Sequence, residues 1–392
     1  MNKNLNLNLT KVPKELKLIL EIVKTENLSN ISIELQYGID WELFVELAIH
    51  HRLYPSLYLK LANIDYNWIP GKTVETLHNY YIKNTYKMLQ LSGEMEQLSQ
   101  LLLKNEVRPI FLKGPVLAAD LYGDISMRTS GDLDILIPMN DLQRTNDLLE
   151  SLGYKKDEYI QTVLNDWTWR HHHFTYYNST KRIKVEIHWR LNPAPNKEPG
   201  FSELWNRKRK SNITFYPIYF LGKEDLFYFL VTHGARHGWS RLRWLLDIHQ
   251  IMKQELDWDS INKLLRKFQA TRIGGQSIIL SSQLFNTTLN KNKHIFIKGK
   301  VPHRLAQEAV FYLENMVNLH TAPVSEHFAK YHSNHLFSLM SLSQKIIFLL
   351  SFLHPYYIDA ETFPLPKNLH FLYYPLRPIL WMWRRKKKQV LS

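Results

Sequence analysis

Apolar side chains recur at helical intervals through the first hundred residues. Asp40 is placed to cap a helix carrying Trp41, Phe44, Val45, Ala48 and Ile49, which Pro55 then disturbs. Leu77, Tyr81, Met88, Leu91, Met95, Leu98 and Leu102 mark the inner stripe of a longer helix. The period shortens at Arg108. Residues 107–112 read as a strand that stops at Lys113-Gly114-Pro115, and Val116, Leu117, Ala119 and Leu121 as a short helix ending near Gly123-Asp124. Residues 133–137 form a second strand, closed by Pro138. Asn140 is expected to cap a helix whose apolar face is Leu142, Leu148, Leu149 and Leu152, with Gly153 as its stop. Two alternating runs, 171–177 and 183–191, flank the turn-like Asn178-Ser179-Thr180-Lys181 and predict a pair of strands. Residues 193–197 read as a loop, and from Lys223 the helical period returns over 224–234, 242–253 and 258–268.

Strand–helix–strand–helix calls for an α/β layer. The predicted fold class is α/β (α+β), with an N-terminal helical region over 1–104, the α/β core over 105–221 and a C-terminal helical region with a basic aromatic tail over 222–392. No apolar run approaches the ~18 residues needed to cross a bilayer. The N-terminus lacks the apolar block and cleavage site of a signal peptide. The chain has no cysteine, which excludes disulfides, thiolate metal sites and cysteine nucleophiles. A cytoplasmic location is the expectation. The net charge of +14 favours anionic partners such as nucleotides, phosphorylated substrates, RNA or anionic lipid, although a solvated tail explains the run Arg384-Arg385-Lys386-Lys387-Lys388 equally well.

The strongest local signal is Gly131-Asp132-Leu133-Asp134-Ile135-Leu136-Ile137. Strand alternation turns Asp132 and Asp134 to one face and Leu133 and Ile135 to the other. Two carboxylates on one face repel and raise one another's pKa, and a divalent cation relieves that repulsion. Hard oxygen ligands at this spacing suit Mg²⁺ (or Mn²⁺), with nucleotide phosphates completing its shell. A polar strand start with Asp132 in a turn is the plainer account, but it leaves Asp134 inside an apolar run unexplained. Asp-x-Asp by itself is a common pattern. A third acid, Glu186, sits in the alternating Val185-Glu186-Ile187-His188-Trp189 and is costly to bury unless paired or ligated. A turn centred between Ser179 and Thr180 would set Glu186 opposite His173 and His188 opposite His171. The plainer account is a hairpin whose polar face looks at water.

These residues match a known pattern. Phe111-Leu112-Lys113-Gly114, Tyr122, Arg128, Asp132-Leu133-Asp134-Ile135-Leu136-Ile137, Gly153-Tyr154 and Val185-Glu186-Ile187-His188-Trp189 together resemble the uncharacterised bacterial nucleotidyltransferase family of the polymerase-β-like superfamily. Leu47-Ala48-Ile49-His50-His51-Arg52-Leu53-Tyr54-Pro55 is similar to that family's helical N-terminus. The motif core spans residues 112–189, and a weaker likeness runs to about 252. The resemblance implies a mixed-sheet nucleotidyltransferase core flanked by helical regions, with two metal ions. Asp132 and Asp134 would then be the paired ligands and Glu186 the third. The superfamily has Gly-Ser or Gly-Gly where this chain has Gly114-Pro115, and Pro115 has no N–H to offer a phosphate. Lys113 and Arg128 are therefore candidates for that contact.

Residues 232–244 are dense in cations and aromatics. Arg236, His237, Arg241 or Arg243 could bind phosphate, and Trp239 or Trp244 could stack on a base. Helix packing is a close alternative. His233 and His237 lie one turn apart only if the segment is helical, which Gly234 and Gly238 weaken, and a zinc site there lacks further ligands. The aromatic stretch from Phe371 to Trp383 with the basic run after it could make peripheral contact with an anionic membrane, but packing against the enzyme body is the favoured expectation. The leading functional reading is metal-dependent transfer of a nucleoside monophosphate from an NTP to a hydroxyl or phosphate acceptor on a small molecule or peptide natural product. Its rivals are a nucleotide-sugar-dependent glycosyltransferase using the same Asp-x-Asp site and a toxin-like enzyme that nucleotidylates RNA or protein.

Overall fold

The computed structural model describes residues 6–62, 68–158, 160–319 and 323–390, with backbone only from 385. Four N-terminal helices lead into the sheet: α1 (Lys14–Lys24), α2 (Trp41–His50), α3 (Tyr54–Leu61) and the 34-residue α4 (Gly71–Lys104). Asp40 caps α2 by accepting from the Glu42 and Leu43 amides, as the sequence suggests. Helix α4 buries Leu77, Met88, Leu91, Met95, Leu98 and Leu102, so the predicted stripe is its inner face.

The sheet has seven strands: β1 (Ile110–Phe111), β2 (Asp132–Leu136), β3 (Lys155–Lys156), β4 (His173–Asn178), β5 (Ile183–His188), β6 (Arg209–Ser211) and β7 (Ile218–Phe220). Their order is β3-β4-β5-β2-β1-β7-β6. β2 runs parallel to β5 and antiparallel to β1, and β1 runs parallel to β7, which makes the sheet mixed. Short helix α5 (Pro115–Tyr122) follows β1, and α6 (Leu142–Ser151) follows β2. Asn140 does not cap α6; Pro138 opens a 3₁₀ turn over Met139–Asp141, and α6 grows directly out of it. Alternation divides the central strands cleanly. Leu133, Ile135, Val185 and Ile187 pack in one core with Met88, Leu91, Met95 and Leu98 of α4, which leaves the even-numbered positions on the opposite face.

That opposite face is covered by helices from both ends of the chain. Helices α7 (Lys223–Arg236), α8 (Leu242–Ile251) and α9 (Thr271–Phe285) share a second core with α1–α3 and with Ile110, Leu112 and Leu136 of the sheet. The Arg243 amide donates to the His51 carbonyl at 3.2 Å, tying α8 to the end of α2. Gly234 sits inside α7 rather than breaking it, because a Cβ there would meet the Trp239 ring at 2.2 Å. Two later helices, α10 (Leu342–Ser351) and α11 (Tyr373–Val390), lie beyond this core. The expectation that the aromatic tail packs against the body is met in part: Tyr373 and Leu380 are buried in a small core with Val163, whereas Phe371, Trp381, Met382 and Trp383 are more than half exposed. The side chains of Arg385 to Lys388 in the basic run lie outside the described residues.

Candidate active site

β2 and β5 pair in register, so Asp132 lies beside Lys184, Asp134 beside Glu186 and Leu136 beside His188. All point to the face opposite Leu133, Ile135, Val185 and Ile187. This brings the three predicted acids to one face, where Asp134 and Glu186 share ligand distance with His188 and Asp132 is linked to Glu186 through Lys184. The predicted hairpin register is two residues off: His173 pairs with His188 and Thr175 with Glu186, because the connection takes up all of residues 179–182. A slip of two preserves the face, so His173 still reaches the site, with Nε2 3.7 Å from Glu186. His171 does not, because a helical turn over Trp167–Arg170 ends at it and the strand begins only at His173. His172 lines the cavity in its place, its Nε2 3.2 Å from His173 Nδ1.

Asp134 is fully buried. Its Oδ1 accepts from Lys113 Nζ at 3.0 Å and lies 3.2 Å from His188 Nε2, while its Oδ2 has no partner. Burial pushes its pKa up, but Lys113 and His188 outweigh that and hold it below the ordinary carboxylate value. Glu186 is likewise held low against burial, by His188 and His173. Burial disfavours the His188 cation, yet its contacts with both acids raise its pKa. Lys184 bridges Asp132 at 2.7 Å and Glu186 at 2.8 Å. Lys184 and His188 were not singled out as site residues, although both share the parity of Glu186 along one strand.

The acids floor a cavity of about 750 Å³. Tyr80, Lys83, Asn84 and Lys87 of α4 form one wall, Arg52 and Tyr54 the rim, and residues of α7 and α8 the other wall. Asn84 donates to the Ser126 carbonyl at 2.9 Å and so fixes the loop that presents Thr129, Ser130 and Gly131. Gly114 follows β1 with φ +83°, and a Cβ there would lie 3.3 Å from Leu133, so the chain turns tightly beneath Asp132. Arg236 is half-buried, donating to His172 at 2.9 Å with its Nε unpartnered. Burial lowers its pKa to about 10 and that of Arg243 to about 9. Arg241 also lines the cavity, and His237 stacks on Trp244 with centroids 5.1 Å apart. Burial and then Arg236 hold His172 far below the usual histidine range, and burial with His188 holds His173 at about 3, so both imidazoles are neutral at neutral pH.

Arg128 behaves differently from the expectation of a free phosphate ligand. It is buried and makes a bidentate pair with Asp247 of α8, Nη2 to Oδ2 at 2.9 Å and Nε to Oδ1 at 3.0 Å. Tyr122 donates to the same carboxylate at 2.8 Å. Arg128 therefore anchors the 123–131 loop to α8 through the Nε–Nη2 edge of its guanidinium, while its Nη1 lies 3.4 Å from the Thr129 carbonyl and the residue also lines the cavity.

The donor set suits a hard divalent cation. Asp134, Glu186 and His188 offer ligand atoms within 4.8 Å of one another, and the orphaned Asp134 Oδ2 is a buried acceptor that an ion would satisfy. The family described as uncharacterised nucleotidyltransferase matches residues 37–286, an interval that contains every residue lining the cavity. No curated protein matches the chain.

Proposed function

The chain belongs to the uncharacterised nucleotidyltransferase family and is thus a transferase enzyme acting on nucleotides, and on that footing we propose that it moves a nucleoside monophosphate from an NTP to a hydroxyl or phosphate on a small molecule or peptide natural product, with a divalent metal. The observation that carries this reading is the convergence of Asp132, Asp134 and Glu186 on adjacent parallel strands at the floor of a cation-rich cavity. Asp132, Asp134 and Glu186 would hold Mg²⁺ or Mn²⁺. When bound, such an ion supplies charge neutralisation at the phosphates and acidifies the acceptor hydroxyl.

The chain's own groups do the rest. Phosphoryl transfer asks for positioning and charge compensation rather than a protein nucleophile. Lys113 and Lys184, now paired with the acids, offer ammonium groups to the triphosphate. Arg236, Arg241 and Arg243 orient its oxygens, and being half-buried they act in a medium that screens them less than bulk water. Neutral His172 and His173 add hydrogen-bonding atoms without adding charge. Trp244 and Tyr80 give apolar surface for the base.

The test is binding of a panel of NTPs and nucleotide sugars with Mg²⁺ or Mn²⁺, comparing wild type with Asp132→Asn/Asp134→Asn. Metal-dependent NTP binding, weakened at least tenfold in the variant, is the expected result. Preference for a nucleotide sugar would turn the reading to glycosyl transfer. Equal binding by variant and wild type would remove Asp132 and Asp134 from the site.

A further inference from the structure

Sixteen of the twenty-nine large hydrophobic side chains exposed among the described residues lie between Leu342 and Trp383. Scattered exposed apolar residues are ordinary, but a concentration of this kind is not. Even at about 50 Å² each, these side chains present roughly 800 Å² of apolar surface, above the few hundred square ångströms usual for a monomer. Helix α10 is amphipathic in the wrong sense for a protein in water. Its start is well defined by the reciprocal Ser341–Gln344 capping box. Gln344 is buried and donates to Asn196 Oδ1 at 3.2 Å, while Leu342, Ile346, Leu349, Leu350 and Leu353 recur at three- and four-residue steps on the outside. The two exposed stretches touch: Arg377 Nε donates to the Phe352 carbonyl at 2.5 Å, and His354 meets Tyr374 with ring centroids 5.3 Å apart.

Charge indicates what covers this face. Residues 342–392 carry eight Lys and Arg (345, 367, 377, 384, 385, 386, 387 and 388) against the acids Asp359 and Glu361, a net +6 of the whole chain's +14. Asp359 is fully buried and bound by Arg377 and Arg384, which fastens α11 in place. Four cations follow in the sequence directly after exposed Trp383 and after Arg384. No helix among the described residues is long and apolar enough to cross a membrane. An apolar face with interfacial tryptophans and a polybasic flank, too short to span, is the chemistry of a segment lying in a bilayer interface. We propose that the face formed by α10 and the first half of α11 docks on an anionic lipid bilayer, the leucines and tryptophans entering the headgroup boundary and the basic run engaging anionic headgroups.

Flotation of the full chain with vesicles of phosphatidylcholine alone or with 30% phosphatidylserine tests this. The expected result is binding to the anionic vesicles only, weakening as salt rises. Lys386→Gln/Lys387→Gln/Lys388→Gln should lower affinity about fivefold per charge removed. Ile346→Ser/Leu350→Ser/Trp383→Ser, at exposed positions, should abolish binding while metal–NTP binding and thermal melting stay as in wild type. Failure of the folded wild-type chain to bind anionic vesicles would overturn the proposal. So would an oligomer in solution that the same serine substitutions convert to monomer, because the face would then be an interface between copies. Neither outcome touches the nucleotide-binding reading, whose residues all lie at or before Trp244.

Discussion

His188 holds two carboxylates at once, and its protonation is tied to theirs. Its folded pKa lies above its ordinary 6.5, so the cation is favoured by folding. The stability it contributes is fully present below that value and is lost as pH rises through the raised one. Asp134, with a lowered pKa, contributes in the opposite sense: its share is present above about 3.8 and is lost as pH falls through the lowered value. In urea denaturation of the metal-free protein from pH 6 to 9, the stability advantage of wild type over His188→Gln should decline as pH rises, because the opposite contribution of histidines with lowered pKa, such as His172 and His173, is common to both proteins. An unchanged slope in the variant would mean that His188 is neutral in the folded state throughout. At this scale the sequence was informative for the acids, because parity along one strand assigns Asp132, Asp134 and Glu186 to one face without any knowledge of partners. The same parity selects Lys184 and His188, which share the strand face of Glu186. The partner of Arg128 was not legible, because Asp247 is 119 residues away and local pattern carries no information about it.

Elements decide how precisely these groups are held. The turn from β1 into α5 depends on Gly114, whose positive φ costs an ordinary residue about 1–2 kcal/mol and whose missing Cβ leaves room for Leu133. Gly114→Ala should lower stability by roughly that amount and weaken NTP binding more than the stability loss explains, since Lys113 and Asp132 shift together. Thermal melts alongside nucleotide titration measure both. The Arg128–Asp247 pair joins the 123–131 loop to α8 in full burial. Arg128→Met strands a buried carboxylate and should cost about 3–5 kcal/mol, whereas Arg128→Met/Asp247→Leu should recover most of it. If the double variant were as unstable as the single one, the pair would matter for shape rather than charge. Long elements were readable because periodicity accumulates over many residues, as in α4. β3, β6 and β7 are two or three residues long and carry no period. The hairpin register was missed because the connection is residues 179–182 rather than Asn178 to Lys181, which moves the centre of the turn by one residue and the pairing by two.

At the scale of the whole molecule, the chain separates chemistry from surface. The family match and every cavity residue fall before position 287, while the apolar, basic face falls after 341. The excess charge is divided between the two: Arg236, Arg241 and Arg243 line the cavity, and a basic run follows exposed Trp383 in the sequence. Composition announced the charge but could not divide it, and the exposure of α10 depends on which side Gln344 turns inward, which only packing decides. The central claim is that the α-phosphoryl group is what moves. Incubation of the enzyme and Mg²⁺ with an acceptor extract and NTP labelled at either the α- or the γ-phosphate tests it directly. Nucleotidyl transfer places the α-label in a new product and the γ-label in pyrophosphate, both lost in Asp134→Asn. A product carrying the γ-label, or one formed equally by Asp134→Asn, would contradict it.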